Sequence, residues 1–167
     1  MIRTVTENDA ERLVEIYSYY VKETAVSLEY EVPSADEFRN RIRTIASKYP
    51  YLVYETDGAI LGYAYASAYS GREAYNWIAV VSIYIDKECR RQGIGSTLYH
   101  ELEARLFDQG IVNILAGTAY IDTEDEFLTH GSYEFHKKMG FIEVAHMIKI
   151  GKKFDRWYDL MWMQKRK

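Results

Sequence analysis

Apolar side chains recur along this chain with two periods that alternate from segment to segment. Ile2 to Val5 alternates residue by residue, as a strand does. Thr6, followed three positions later by Asp9, has the side chains of a capped helix start, and Leu13, Ile16, Tyr17 and Tyr20 follow at helical spacing. A polar stretch from Lys22 to Val32 leads to Pro33-Ser34, where Ser34 and Glu37 repeat the capping pattern. Phe38, Ile42 and Ile45 then mark one face of a second helix that ends near Pro50. Tyr51 to Glu55 and Ile60 to Tyr69, joined through Asp57-Gly58, predict a β-hairpin. Gly71 to Tyr75 reads as a loop and Trp77 to Ile85 as a longer strand. Ile94, Leu98, Leu102 and Leu106 recur every four residues in a helix stopped by Gly110. Val112 to Ala116 is a run of buried-strand type, Ile121 to Thr129 an acidic loop, and a short helix opening near Ser132 ends at Gly140. Phe141 to Ile150 and Phe154 to Met163 predict two closing strands. The order is βααβββαβαββ with no repeat, low-complexity tract or linker, which predicts one α/β domain over residues 1–167.

Composition narrows the partners. A chain of 167 residues, 48% apolar or aromatic, buries enough surface to be stable without staples, and its one cysteine, Cys89, allows neither an internal disulfide nor a cysteine-rich zinc site. The net charge of −4 argues against a broad footprint on nucleic acid or an anionic membrane. The start, Met1 to Glu7, lacks the apolar core of a signal peptide, and no apolar run approaches the roughly 18 to 20 residues that span a bilayer, so a cytoplasmic protein is the expectation. Sixteen tyrosines against two prolines predict an interior and pocket walls that are aromatic with polar tips. The four histidines are too scattered to form a metal site.

The segment richest in chemistry is Ser82 to Ile85, a short loop, then Arg90-Arg91-Gln92-Gly93-Ile94-Gly95-Ser96 opening a helix. Amides at a helix start converge on an anion, and two glycines let a pyrophosphate approach without meeting a Cβ. The same glycines can instead do no more than shape a strand-to-helix turn. The loop is neither a Walker A sequence nor Gly-x-Gly-x-x-Gly.

As a whole this segment resembles the acetyl-CoA motif of the GNAT superfamily of N-acetyltransferases, Gln/Arg-x-x-Gly-x-Gly/Ala after a strand. The phosphinothricin acetyltransferase branch resembles it further, through Tyr49 to Val53, Gly62 to Ala66, Arg72 to Trp77, Gly93 to Tyr99, His136 to Phe141 and Gly151 to Asp159, over about Ile2 to Gln164. The resemblance implies a mixed, mostly antiparallel twisted sheet with about four helices, no metal, and acetyl transfer from acetyl-CoA to the primary amine of a small amino-acid-like molecule by direct attack in a ternary complex. It assigns the pantetheine arm to the strand end at Ile83, Tyr84 and Ile85, and the pyrophosphate to Arg91, Gln92, Gly93, Ile94, Gly95 and Ser96. It also implies a homodimer, for which the aromatic C-terminal strands offer a surface.

Two departures from that branch shape the expected site. A glutamate base is expected after the Ala-Tyr-Asp-Trp-x-Ala stretch, but the chain reads Ala74 to Val81 with Val80 in that place. An alkyl ammonium with a pKa near 10 is neutral in only about one molecule in a thousand at pH 7, so proton removal needs a route. Glu29 and Glu31 are the replacement candidates, set against their ordinary reading as solvated loop carboxylates. Loss of the carboxylate also supports an alternative, a non-catalytic acyl-CoA-binding sensor. The second departure is the acidic loop, in which Thr129 takes the place of a cofactor-binding asparagine while Ser132 is kept. His136 stands where many relatives have a tyrosine that protonates the departing thiolate, and is either that donor or a core hydrogen-bonding residue. Tyr30, Tyr75, Trp77 and Val80 are the expected acceptor-pocket residues. A thioester on Cys89 is disfavoured, because nothing near it in sequence supplies a base.

Overall fold

A computed structural model describes residues 1–167. In chain order the elements are β1 (Ile2–Thr4), α1 (Ala10–Glu23), α2 (Ala35–Ala46), β2 (Tyr51–Thr56), β3 (Ala59–Ala68), β4 (Ile78–Ile85), α3 (Ile94–Asp108), β5 (Asn113–Tyr120), α4 (Gly131–Lys138), β6 (Ile142–Lys153) and β7 (Arg156–Arg166), the order the hydrophobic pattern predicts. Both capping signals are realised: Ser34 Oγ accepts from Glu37 N at 3.1 Å, and Asp9 Oδ2 accepts from Thr6 N at 2.7 Å. Asp57 and Gly58 both take positive φ (52° and 77°), the two-residue turn that matches strand twist.

The seven strands form one sheet in the order β1-β2-β3-β4-β5-β7-β6. Side chains alternate across it. Tyr51, Val53 and Tyr63 point to one face and pack with Leu13, Ile16, Tyr17 and Tyr20 of α1 and with Phe38 and Ile42 of α2. Leu52, Ala64, Ala66, Ala79, Val81, Ile114 and Ala116 point to the other and pack with Leu98, Leu102 and Leu106 of α3. No helix is long and apolar enough to cross a membrane.

Every neighbouring pair is antiparallel except β4 and β5, which run parallel and pair only from Ile78–Val80 to Asn113–Leu115. Beyond these residues β4 stays with β3 as far as Ile85, and β5 stays with β7 as far as Tyr120. The sheet therefore splits into a V.

The last hairpin differs from its expectation. Phe154 is not a strand residue; with Asp155 it forms the β6–β7 turn, at φ 51° and 58°, and both flanking strands run on to it. A phenylalanine is an unusual choice for a left-handed turn, and its ring stacks on Phe127 with centroids 4.0 Å apart. The strand expected over Val112 to Ala116 likewise extends to Tyr120, because β7 pairs with it along its whole length.

Asp9 fastens β1 to the start of α1. Its carboxylate accepts from Arg3 Nη1 and Nη2 at 2.8 and 2.9 Å as well as from Thr6. Burial works to raise the Asp9 pKa, but the Arg3 fork and the Thr6 bonds outweigh it and hold the carboxyl below its ordinary value. A carboxyl whose folded pKa is lowered contributes stability above its unfolded pKa, near 4, and loses it as pH falls through the folded value. Asp9→Ala is expected to cost about 1 to 3 kcal/mol in urea unfolding at pH 7, with the gap to wild type closing below pH 4.

Candidate active site

The V between β4 and β5 leaves main-chain groups without a strand partner. Asp86 N donates to Leu61 O at 2.9 Å across the β3 side, and Gly62 lies opposite Ile85. In an antiparallel ladder this makes Gly62–Ile85 and Ala64–Ile83 non-hydrogen-bonded pairs, so the N–H and C=O of Ile83 and Ile85 face the opening. Tyr84 is the reverse: its main chain faces Tyr63 on β3, and its ring packs edge-on against Tyr17 and Tyr20, centroids 5.0 and 5.2 Å away. The expectation that Tyr84 contributes to the arm site is corrected by strand alternation. Ile85 is also not free, because Tyr20 Oη donates to its carbonyl at 2.5 Å and accepts from its amide at 3.2 Å.

The loop that follows ends in a cradle. Arg91 (φ 64°) and Gly93 (φ 83°) are both left-handed, which turns successive amides to one side. The first amide of the helix to find an intrachain acceptor is Thr97, on Gly93 O at 3.0 Å, so those of Ile94, Gly95 and Ser96 point outward unpaired. No side chain caps the helix start. A Cβ on Gly95 would lie 3.5 Å from the Phe135 ring and 3.9 Å from Ile85, which marks where α3, α4 and the end of β4 meet. Ser132 lies in the first turn of α4, and Thr129 Oγ1 is 3.4 Å from the Gly131 amide just before it.

The opposite face of β4 presents Val80, Ser82 and Tyr84 toward α1 and α2, with Val80 between Ser67 and Leu115. The segment between α1 and α2 closes over it. Glu29 is held there by Arg41 Nη1 at 2.8 Å. Its amide donates to Ser27 Oγ at 3.2 Å, and Ser27 Oγ lies 2.8 Å from Tyr17 Oη, which seats this part of the segment beside the tyrosines; burial is the main reason the hydroxyls of Tyr17, Tyr65 and Tyr84 are pushed up in pKa, and the charge of Glu29 adds to each. Glu31 is exposed and makes no ion pair. The β6–β7 turn supports the segment from the other side: Lys153 Nζ donates to Thr24 O and Ser27 O at 2.7 and 2.6 Å, and Tyr30 Oη donates to Lys152 O at 2.5 Å. Burial lowers the pKa of Lys153, with Glu29 acting against the shift.

Two further expectations are revised. Tyr75 and Trp77 enter β4 at its N-terminal end, where Tyr75 meets Tyr69 at 5.4 Å, whereas Tyr30 sits by the turn at Lys152. The cleft that Tyr30 lines, with Val21, Lys22 and the β6–β7 turn, includes neither Tyr75 nor Trp77. His136 is buried, with Nδ1 2.8 Å from the carbonyl oxygen of Ser132 and Phe135 and Phe141 edge-on at 5.2 Å. A carbonyl only accepts, so the ring proton sits on Nδ1 and the buried, unpartnered Nε2 carries a lone pair. Burial lowers the imidazole pKa against that bond. In this tautomer Nε2 carries no proton to give to a departing thiolate, and His136 packs as a core hydrogen-bonding residue.

The GNAT acetyltransferase domain model matches residues 2–162. The chain belongs to the GNAT acetyltransferase family. It is 33% identical to a phosphinothricin N-acetyltransferase of Alcaligenes faecalis, over 98% of this chain and 81% of that one. It is 31% identical to the L-amino acid N-acyltransferase MnaT of Escherichia coli, over 98% and 91%. A phosphinothricin acetyltransferase from Sinorhizobium meliloti, solved with acetyl-CoA, superposes with a TM-score of 0.90 at 33% identity, covering 99% of this chain and 87% of that one.

This GNAT chain is thus an acetyl-CoA-dependent N-acetyltransferase, and its residues fit that donor: the unpaired amides opening α3 and the exposed Arg91 would hold a pyrophosphate, and the main-chain edge of Ile83 would take an amide-bearing arm. Sequence reasoning missed Tyr20, Arg41 and Lys153. Tyr20 was legible only as a core residue at helical spacing, and the other two only as charges on polar segments. A ligand bound only by the native state adds about 2.7 kcal/mol at a hundredfold excess over Kd. Acetyl-CoA should raise the melting temperature accordingly, and Gly93→Val, which forces a β-branched residue to φ 83°, should abolish most of that rise.

Proposed function

We propose that the enzyme acetylates the primary amine of a small amino-acid-like molecule, the amine attacking the thioester directly in a ternary complex. The observation that carries this is the two-sided site, with a donor cradle at the V and α3 on one face and an acceptor side closed by the 24–32 segment on the other. The Lys153 clamp and the fit of Leu28 against Gly151 favour an enclosed pocket over an open groove for a peptide. Relatives named for phosphinothricin and for L-amino acids support the acceptor class. Acetyl-CoA, when bound, supplies an electrophilic carbonyl; the pyrophosphate contacts are then the loop amides of Gln92 to Ser96 with Arg91, and Thr129 and Ser132 approach from α4.

Proton removal falls to Glu29. It shares the face of Val80, Ser82 and Tyr84, whereas Glu31 faces solvent. Valine at position 80 leaves room beside the acceptor but no base, so the carboxylate acts from the overlying segment. The second reading, a sensor that binds acyl-CoA without turnover, is favoured by Val80 alone. The protein works in the cytoplasm, in keeping with one unpaired cysteine. It works there as a homodimer: edge strand β6 exposes Ile142, Ile148 and Ile150 at 66%, 71% and 46%, an apolar edge that invites a second copy.

Two experiments follow. Thiol release across an amine panel from pH 6 to 9 should be slowed about 10² to 10⁴-fold by Glu29→Gln and little by Glu31→Gln, while Val80→Glu, once shown to fold and bind acetyl-CoA, should gain little over wild type. Tight acetyl-CoA binding with no thiol release by any of these proteins would establish the sensor instead. In sedimentation, wild type should run as a dimer and Ile148→Lys as a monomer; a monomeric wild type would refute the β6 interface.

A further inference from the structure

The main-chain groups of Ile85 are the ones the V should leave bare, yet they are filled from within the chain. Tyr20 on α1 donates to Ile85 O at 2.5 Å and accepts from Ile85 N at 3.2 Å, the two bonds a neighbouring strand would have made. The tyrosine is 7% exposed and wedged edge-on between Tyr19 and Tyr84, with centroids 5.2 Å from each. Its hydroxyl both gives and takes a hydrogen bond, which leaves it no reason to swing aside. The residue before it reaches the loop beyond: the Tyr19 ring carries the Arg90 guanidinium at 5.1 Å and the Lys87 ammonium at 5.6 Å, and Arg90 Nη2 donates to Tyr19 Oη at 3.1 Å. Two turns earlier, Arg12 Nε donates to Ile60 O at 3.0 Å and its Nη2 pairs with Asp86. A single helix face thus grips the end of β4 and both sides of the 86–90 turn.

We infer that Tyr20 is a positioning residue for the donor. It stands in for the missing strand at Ile85, holds the end of β4 away from β5 before any ligand arrives, and so fixes the origin of the Arg90–Ser96 cradle. The pantetheine arm then finds its main-chain partner at Ile83 alone, because Ile85 is already satisfied. The inference rests on the acetyl-CoA reading of the cleft and goes beyond it by naming which of the two bare-edge residues the donor meets and what keeps the edge in place.

The test compares wild type with Tyr20→Phe, using CoA as the probe in calorimetry and acetyl-CoA in steady-state kinetics. The variant keeps the ring and loses both bonds. Its Kd for CoA and its KM for acetyl-CoA should rise about tenfold, the scale of one to two lost hydrogen bonds, while kcat at saturating donor and KM for the amine stay within about twofold. A tyrosine that only stabilised the fold would lower the melting temperature and leave that split unmoved. Hydrogen exchange on the wild type gives an answer that does not depend on the variant folding: the Ile85 amide should be protected with and without CoA, and the Ile83 amide should become protected only with it. An Ile85 amide that exchanges freely until CoA is added, or a Tyr20→Phe protein that binds CoA as tightly as wild type or more tightly, would overturn the proposal while leaving the donor assignment standing. A wild type that does not bind CoA at all would overturn both.

Discussion

The architecture turns on a parallel pairing that lasts only three residues. β4 and β5 touch from Ile78 to Val80 and then part, and each keeps its antiparallel neighbour on the far side. Backbone N–H and C=O groups do not remain unpaired without cost, so each group exposed by the split is either satisfied internally or left for a ligand. Tyr20 takes Ile85; Ile83 and the amides opening α3 stay free. The donor site consists of what the sheet leaves unpaired.

The pleat gives β4 two faces that pack against different helices. Odd-numbered residues of β4 from Ala79 to Val81 join the α3 core, and even-numbered ones face α1 and α2. In the function proposed, the donor lies along the strand edge and the helix start and the acceptor on the even-numbered face, so a mutation on one side need not disturb the other. Charge follows the same division. The chain is net negative, but the anion cradle depends on oriented amides and Arg91, whose field is local. Glu29, half-buried, pairs with Arg41, and its amide donates to Ser27 Oγ, which bonds the buried Tyr17 hydroxyl.

The segment joining α1 to α2 links these parts. It leaves the helix that carries Tyr19 and Tyr20, is clamped by Lys153, and returns through Glu29 to Arg41. The β6–β7 turn therefore holds this segment although it lies more than a hundred residues away in sequence. This is also why Phe154 accepts a left-handed backbone: the stack on Phe127 and the neighbouring clamp hold the turn in place.

Sequence alone determined the element order, the capped start of α2, the capping box on the turn that leads into α1, the Asp57-Gly58 turn and the left-handed glycine before α3, because periodicity, caps and turn chemistry are local and each is written in adjacent residues. Val80, where the resemblance leads one to expect a glutamate, is likewise read directly from the sequence. Glu29 and Glu31, two residues apart and both loop carboxylates, are told apart only by the tertiary structure: packing pairs one with Arg41 and leaves the other exposed. His136 needed it too, since the tautomer depends on a carbonyl four residues back and on the burial of Nε2. The separation of Tyr75 and Trp77 from Tyr30 follows from where loops enter a strand, and the pairing of Tyr20 with Ile85 joins residues 65 apart in the chain. A local pattern records which way a side chain points from its own backbone; what it meets there is decided by elements the pattern does not contain.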